Sequence, residues 1–208
     1  MADEYPLLTG GQVRLEPLEE RHVPALTAAA AEDRRIYQWS QVPHGSAEMH
    51  KYVETALSWR QQGTALAFAT VRVADGKVLG SSRFFLMERW AWPADHPRSA
   101  RTTPDCCEIG YTWLGASALR TAANTEAKLL MLSHAFDTWG VLGVCFHTDA
   151  RNERSCAALA RIGAKFEGIL RAHRLATDLT PRDSARYSIV AAEWPAVKGR
   201  LRSLLAAR

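Results

Sequence analysis

The residues that could do chemistry concentrate between Cys107 and Gly163, around Leu119-Arg120-Thr121-Ala122-Ala123-Asn124-Thr125-Glu126. Thr121 can cap a helix, its hydroxyl accepting from a backbone N–H two or three residues on. Free first-turn N–H groups and the positive end of the helix dipole then make a site for a phosphate or pyrophosphate. Arg120 can add a charge-assisted phosphate contact or simply face solvent. A strand-like run, Cys107–Leu114, precedes this turn, and an apolar helix over 121–139 follows it. A second strand, Gly143–Asp149, leads into Ala150-Arg151-Asn152-Glu153-Arg154-Ser155, which opens another helix. Strand, anion-binding helix, strand, helix is the core of a cofactor-binding site.

The order EIGYTWL, TAANTEAK, TDARNERS and RIGA resembles the GNAT superfamily of N-acyltransferases, and within it the branch that acetylates ribosomal-protein N-termini and similar amines. The resemblance spans roughly Gln12 to Trp194 and is densest from Glu108 to Arg171. It implies an α/β fold, with a mixed, splayed sheet of about seven strands and flanking helices. It also implies acetyl-CoA as acyl donor and a primary amine as acceptor, a protein or peptide N-terminus foremost. Small-molecule amines (a polyamine, amino acid or antibiotic) are the alternative, as is a CoA-binding module without catalysis.

Acyl transfer from a thioester to an amine has four requirements. For the pyrophosphate, the family's Q/RxxGxG/A turn corresponds to Leu119, Arg120, Thr121, Ala122, Ala123 and Asn124, with Ala122 in the first glycine position. Backbone donors survive that replacement provided the loop avoids positive φ at Ala122. For the pantetheine arm, the family pairs it with the edge corresponding to Tyr111, Thr112, Trp113 and Leu114, and Asn152 matches an asparagine that bonds the arm. Asn152 is equally natural as a helix N-cap. For the negative charge that grows on the carbonyl oxygen, the family aims a backbone N–H from a bulge in Glu108-Ile109-Gly110-Tyr111, and Gly110 makes a bulge easy.

The fourth requirement is proton transfer. Many family members use a tyrosine on the helix after the asparagine; that position here is Leu159, whereas Ser155 matches the serine of the ribosomal-protein branch. Ser155 is thus the candidate to bond the CoA sulfur, and Glu108 and His147 are candidate bases. Catalysis by proximity alone is the alternative for an already neutral amine. Gly115-Ala116-Ser117-Ala118-Leu119 fails the GxSxG nucleophile pattern at its fifth residue, and His147, Asp149 and Glu153 lack metal-ligand spacing, so no metal is expected.

The elements that must position these residues follow from periodicity. Gln12–Glu16 alternates as a strand, and helices are expected over 19–31 and 46–62, with Ser46 a cap. In the family the two helices flank the acceptor groove, so Tyr37, Trp39, His44 and Trp59 either face substrate or pack in the core. Thr64–Val73 and Lys77–Met87 read as strands joined at Asp75-Gly76, a strong hairpin signal. Residues 88–104, rich in proline and tryptophan, read as an inserted loop: a lid, a dimer contact or a disordered surface segment. Closing strands are expected over 165–175 and 185–192, and a basic amphipathic helix over 195–208.

At 208 residues the chain is read as a single domain over 1–208 with room for a full core. The formal charge of +4 equals the four basic residues of 195–208, leaving a neutral body that argues against a nucleic-acid partner. No apolar run approaches the ~18 residues of a membrane span, and Met1–Tyr5 does not read as a signal peptide. A cytoplasmic protein with reduced thiols at Cys106, Cys107, Cys145 and Cys156 is expected, with a homodimer possible.

Overall fold

The computed structural model describes residues 5–207; Met1–Glu4 of the leader reading and Arg208 of the basic helix lie outside the described residues. In chain order the elements are β1 (Leu8–Thr9), β2 (Val13–Pro17), α1 (Val23–Ala31), α2 (Gly45–Gln61), β3 (Ala65–Arg72), β4 (Val78–Glu88), β5 (Cys106–Leu114), α3 (Ala123–Ser133), β6 (Gly143–Asp149), α4 (Glu153–Ile162), β7 (Lys165–Leu175), β8 (Pro181–Val190) and α5 (Trp194–Ala206). The strands form one eight-stranded sheet in the order β1-β2-β3-β4-β5-β6-β8-β7. The eighth strand beyond the seven expected is β1, whose two residues pair with Leu15 and Arg14. Two residues are too few for alternation to register.

Every neighbouring pair is antiparallel except β5 and β6, which run parallel over only three pairs, Cys106–Gly143, Cys107–Val144 and Glu108–Cys145. Past Glu108 each strand stays bonded to its other neighbour, β4 or β8, and the two inner edges part. This splay is the feature that positions the site.

Strand alternation sends neighbouring residues to opposite faces. Phe68, Phe84, Ile109, Val144 and Ile189 pack with Met131 and Leu132 of α3 and Leu201 of α5. Ala67, Ala69 and Trp113 pack with Leu26, Met49 and Val53 of α1 and α2. A single sheet thus separates two cores. Gly163 caps α4 at φ +97, as its position predicts, and Gly76 turns the β3–β4 hairpin at φ +72.

Three expectations shift. The helix expected over 121–139 is α-helical only to Ser133 and continues as a π-turn over His134–Trp139, ending at Gly140 with φ +63. The π-turn keeps His134 and Trp139 against Phe84, with ring centroids 6.1 and 4.7 Å away. An apolar pattern reads much the same through either turn width, so periodicity does not separate them. Ser46 does not cap α2, which starts at Gly45.

The third shift concerns the inserted loop. Asp105 accepts from the Trp90 amide, Trp92 Nε1 and Arg98 Nη1, while Arg98 donates to Gly140 O and Arg101 to Trp139 O. The loop is therefore fastened to the π-turn, at the end of β5 opposite the splay.

Candidate active site

The splay is sharpened by a bulge. Ser81 pairs with Trp113 and Arg83 with Gly110, so two steps on β4 face three on β5. The extra residue is absorbed at Tyr111, φ +50, rather than at Gly110 where the sequence places the freedom. Gly110 matters for space: a Cβ there would lie 2.7 Å from Phe85 Cε1 and 3.4 Å from Glu108 Oε1. Of the other expected arm-binding residues, Trp113 buries its side chain against Tyr37, and the Tyr37 hydroxyl donates to Leu114 O at 3.0 Å. Tyr37 is therefore core. The Thr112 hydroxyl faces the α3 side, 2.7 Å from both Ser82 Oγ and Lys128 Nζ.

At the expected pyrophosphate turn, the chain passes Leu119 and reverses at Arg120, φ +59. Thr121 Oγ1 donates to Ala118 O at 2.7 Å and accepts from Ala123 N at 3.2 Å, so it answers a first-turn donor as predicted. Ala122 is the formal N-cap, with φ −70. The strained position lies two residues before Ala122, which explains how alanine stands where the family has glycine. A depression of about 570 Å³ opens here, lined by Gln12, Arg120, Thr121, Ala122, Glu126 and Leu205. Asn124 Oδ1 is buried without a hydrogen-bond partner.

Glu126, beside this depression, carries a role that sequence reasoning missed. Its carboxylate accepts from the amides of Gly11, Gln12 and Val13 at 2.9, 2.6 and 2.6 Å, tying the β1–β2 turn to α3. Three N–H dipoles spread its negative charge, which would otherwise oppose an anion nearby. A carboxylate in a helix's first turn was the available signal, but its partners lie more than 110 positions away in sequence.

Asn152 caps α4, its Oδ1 accepting from Ser155 N at 3.1 Å, and is buried. Ser155 sits half-buried on the first turn. Beside them is a second depression of about 290 Å³ bordered by Arg35, Trp39, Arg151 and Arg154, among others. Arg151 is paired to Asp149 and Asp178 at 2.8 and 3.0 Å and stacks 4.1 Å over Trp39.

The two candidate bases come together across the parallel pair. Glu108, 1% exposed, accepts at Oε2 from Arg174 Nη2 at 2.9 Å. His147 Nδ1 lies 2.9 Å from the same oxygen but outside the angular range of a hydrogen bond, so both His147 ring nitrogens lack partners, as does Glu108 Oε1. The His173 ring is 4.8 Å from His147; burial, with Arg174 assisting, holds its pKa below the ordinary histidine value.

Glu108, Cys145 and His147 present donor atoms within 4.8 Å of one another. Burial and the neighbouring Glu108 push the Cys145 thiol up to about 12. A protonated thiol is no ligand, and the Arg174 guanidinium on Glu108 repels a cation. The set reads as proton-handling chemistry.

These features fit an acyl-CoA: two unpaired strand edges for an extended arm, a helix start beside a depression for phosphates, and a buried carboxylate oxygen without a partner where the strands part. The comparisons agree. A Thermus-type relative from T. thermophilus, assigned as an acetyltransferase, is similar at 32% identity over 99% of this chain and 100% of that chain, with a TM-score of 0.77. A GCN5-related N-acetyltransferase from Brucella melitensis is similar at 29% over 97% and 86%, TM-score 0.79. Mycobacterium smegmatis RimJ, solved with a CoA disulfide, shares the fold at 21% identity over 92% and 88%, TM-score 0.75. A comparison with curated protein sequences returned no significant match. Residues 12–165 match the sequence pattern of the acetyltransferase (GNAT) domain, and with most of its length matched the chain belongs to that family.

Proposed function

We propose that this N-acetyltransferase moves the acetyl group of acetyl-CoA to a primary amine presented as a protein or peptide N-terminus, in the cytosol. The carrying observation is the splay past Glu108, which leaves open edges beside a buried carboxylate with one unpartnered oxygen. Acetyl-CoA supplies a thioester carbonyl activated towards amines. In this reading the residues from Leu119 to Asn124 hold its phosphates, with Arg120 adding charge, and the β5 edge from Tyr111 to Leu114 aligns its arm. An N–H at the Gly110–Tyr111 bulge answers the charge that grows on the acyl oxygen.

The acceptor amine arrives protonated at neutral pH. Glu108 Oε1 takes that proton, while Arg174 anchors the other oxygen and fixes the carboxylate's direction. His147 stands beside it to pass a proton onward. Ser155, on the first turn of α4, hydrogen-bonds the departing sulfur. Asn152 cannot offer Oδ1 to the arm while capping Ser155 N, so its free amide N–H is the group in reach.

The test combines calorimetry with acetyl-CoA and a free-thiol assay over N-terminal peptides. One-to-one binding and CoA release that depends on the peptide's free amine support the reading. Binding without release for any amine would leave a sensor, and no binding would remove the enzyme.

Within the described residues no helix is long and apolar enough to cross a membrane.

A further inference from the structure

Arg83 is among the largest fully buried side chains, 1% exposed. Its neighbour Ser82 turns towards Lys128 on α3, so Arg83 points to the opposite face, under α2. There its guanidinium carbon lies 4.2 Å from the Tyr111 ring centroid, 4.6 Å from Tyr52 and 5.3 Å from Trp59. The rings answer the faces of the cation. They do nothing for its N–H donors, which lie in the guanidinium plane. Nε and Nη2, both buried, meet no acceptor in the protein. These two atoms share one edge of the guanidinium, the edge that grips a carboxylate through two parallel hydrogen bonds. Glu108, the acid on this face, is already held by Arg174.

A buried cation with an unanswered edge is costly unless an anion arrives to meet it. Its place says which one. Arg83 stands opposite Gly110, and Phe85 opposite Glu108, two residues along the strand or about 7 Å. The Phe85 ring touches both ends, 5.1 Å from Tyr111 and 5.5 Å from the Arg174 guanidinium. The start of α3, where the donor's phosphates are read to sit, is across the sheet.

Resting on the acetyl-transfer reading above, we propose that the Nε–Nη2 edge of Arg83, caged by Tyr52, Trp59 and Tyr111, recognises a carboxylate carried by the acceptor a few bonds from its amine. Two sources share that chemistry: the α-carboxylate of a free amino acid, and the acidic side chain of a peptide's second residue.

The test uses products as probes, so that acceptor amine pKa does not intervene. Calorimetry on the CoA-saturated full chain, repeated without CoA, compares N-acetylalanine with N-acetylalaninamide, and N-acetyl-Ala-Glu-amide with N-acetyl-Ala-Gln-amide. The carboxylate partner of one pair binds about tenfold tighter or more, the worth of hydrogen bonds to a charged group. Preference in the first pair identifies an amino acid, and in the second a peptide. Arg83→Met erases the preference while CoA affinity holds; Arg83→Lys, keeping charge without the fork, falls between. Equal or undetectable binding of both members of both pairs to the wild-type chain overturns the proposal, as does a preference that survives in Arg83→Met. Failure of the acetyl-transfer reading shows separately, as absent CoA release with every amine.

Discussion

At the scale of single residues, two buried ionisable groups carry the chemistry and the pH dependence. Glu108 is placed by one strong partner, Arg174, and keeps one oxygen unbonded. Replacing it with Gln preserves shape and removes the base. We expect kcat to fall by roughly 10²–10⁴ with acetyl-CoA affinity unchanged, from steady-state rates and calorimetry. A fall much smaller than this would mean that proximity alone drives transfer.

Lys128 is the second group. It is 4% exposed, and its ammonium meets only the hydroxyls of Thr112 and Ser82. Burial pulls its pKa down to about 7. Between pH 7 and the ordinary lysine value, the unfolded chain retains a proton that the folded chain has released. Stability therefore rises with pH through that window, with a slope approaching ~1.4 kcal/mol per pH unit. Below pH 7 both states hold the proton and the full penalty of the buried charge stands. Lys128→Met leaves Ser82 and Thr112 to bond each other at 2.7 Å. Urea midpoints at several pH values from 6.5 to 9 should show the variant more stable near neutrality and flatter with pH; parallel curves would contradict this.

At the scale of elements, the bulge in β5 and the tie between α3 and β2 decide the geometry. Gly110→Ala would push a methyl into Phe85, itself buried and unable to swing clear. Overpacking of this kind costs about 1–3 kcal/mol. Since Phe85 borders Tyr111 and Arg174, acceptor kcat/KM should drop with it, measurable beside a lowered thermal midpoint. Glu126→Ala removes one acceptor from three backbone donors at once. We expect a loss of about 2 kcal/mol in denaturant unfolding, with weaker acetyl-CoA binding because the adjoining α3 turn loosens.

At the scale of the molecule, one sheet divides two cores, and the inserted loop is a corner brace on the α3 side. Asp105 gathers three donors from that loop. Asp105→Ala should make 89–104 susceptible to limited proteolysis while acetyl-CoA affinity is retained, because the loop joins β5 at the end away from the splay. Protection by acetyl-CoA against cleavage there would argue instead for contact with the site.

How much of this was legible before folding depends on the range of the interactions. Helix starts, the Asp75-Gly76 hairpin, the Gly163 cap and the strand–turn–helix order around Thr121 are written in neighbours a few positions apart, so the chain itself determined the α/β order, the family resemblance and the placement of Glu108, His147, Asn152 and Ser155 on particular elements. Tertiary structure alone decided the rest. The Glu108–Arg174 bond joins positions 66 apart, and the grip of Glu126 on Gly11–Val13 joins positions 113–115 apart. The positive φ fell on Tyr111 rather than Gly110 because the register between β4 and β5 demanded an extra residue there. Arg83 and Lys128 read as ordinary surface charges in the sequence. Only the closing of helices over both faces of the sheet removed them from water, and desolvation is a property of the packed whole that no local pattern encodes.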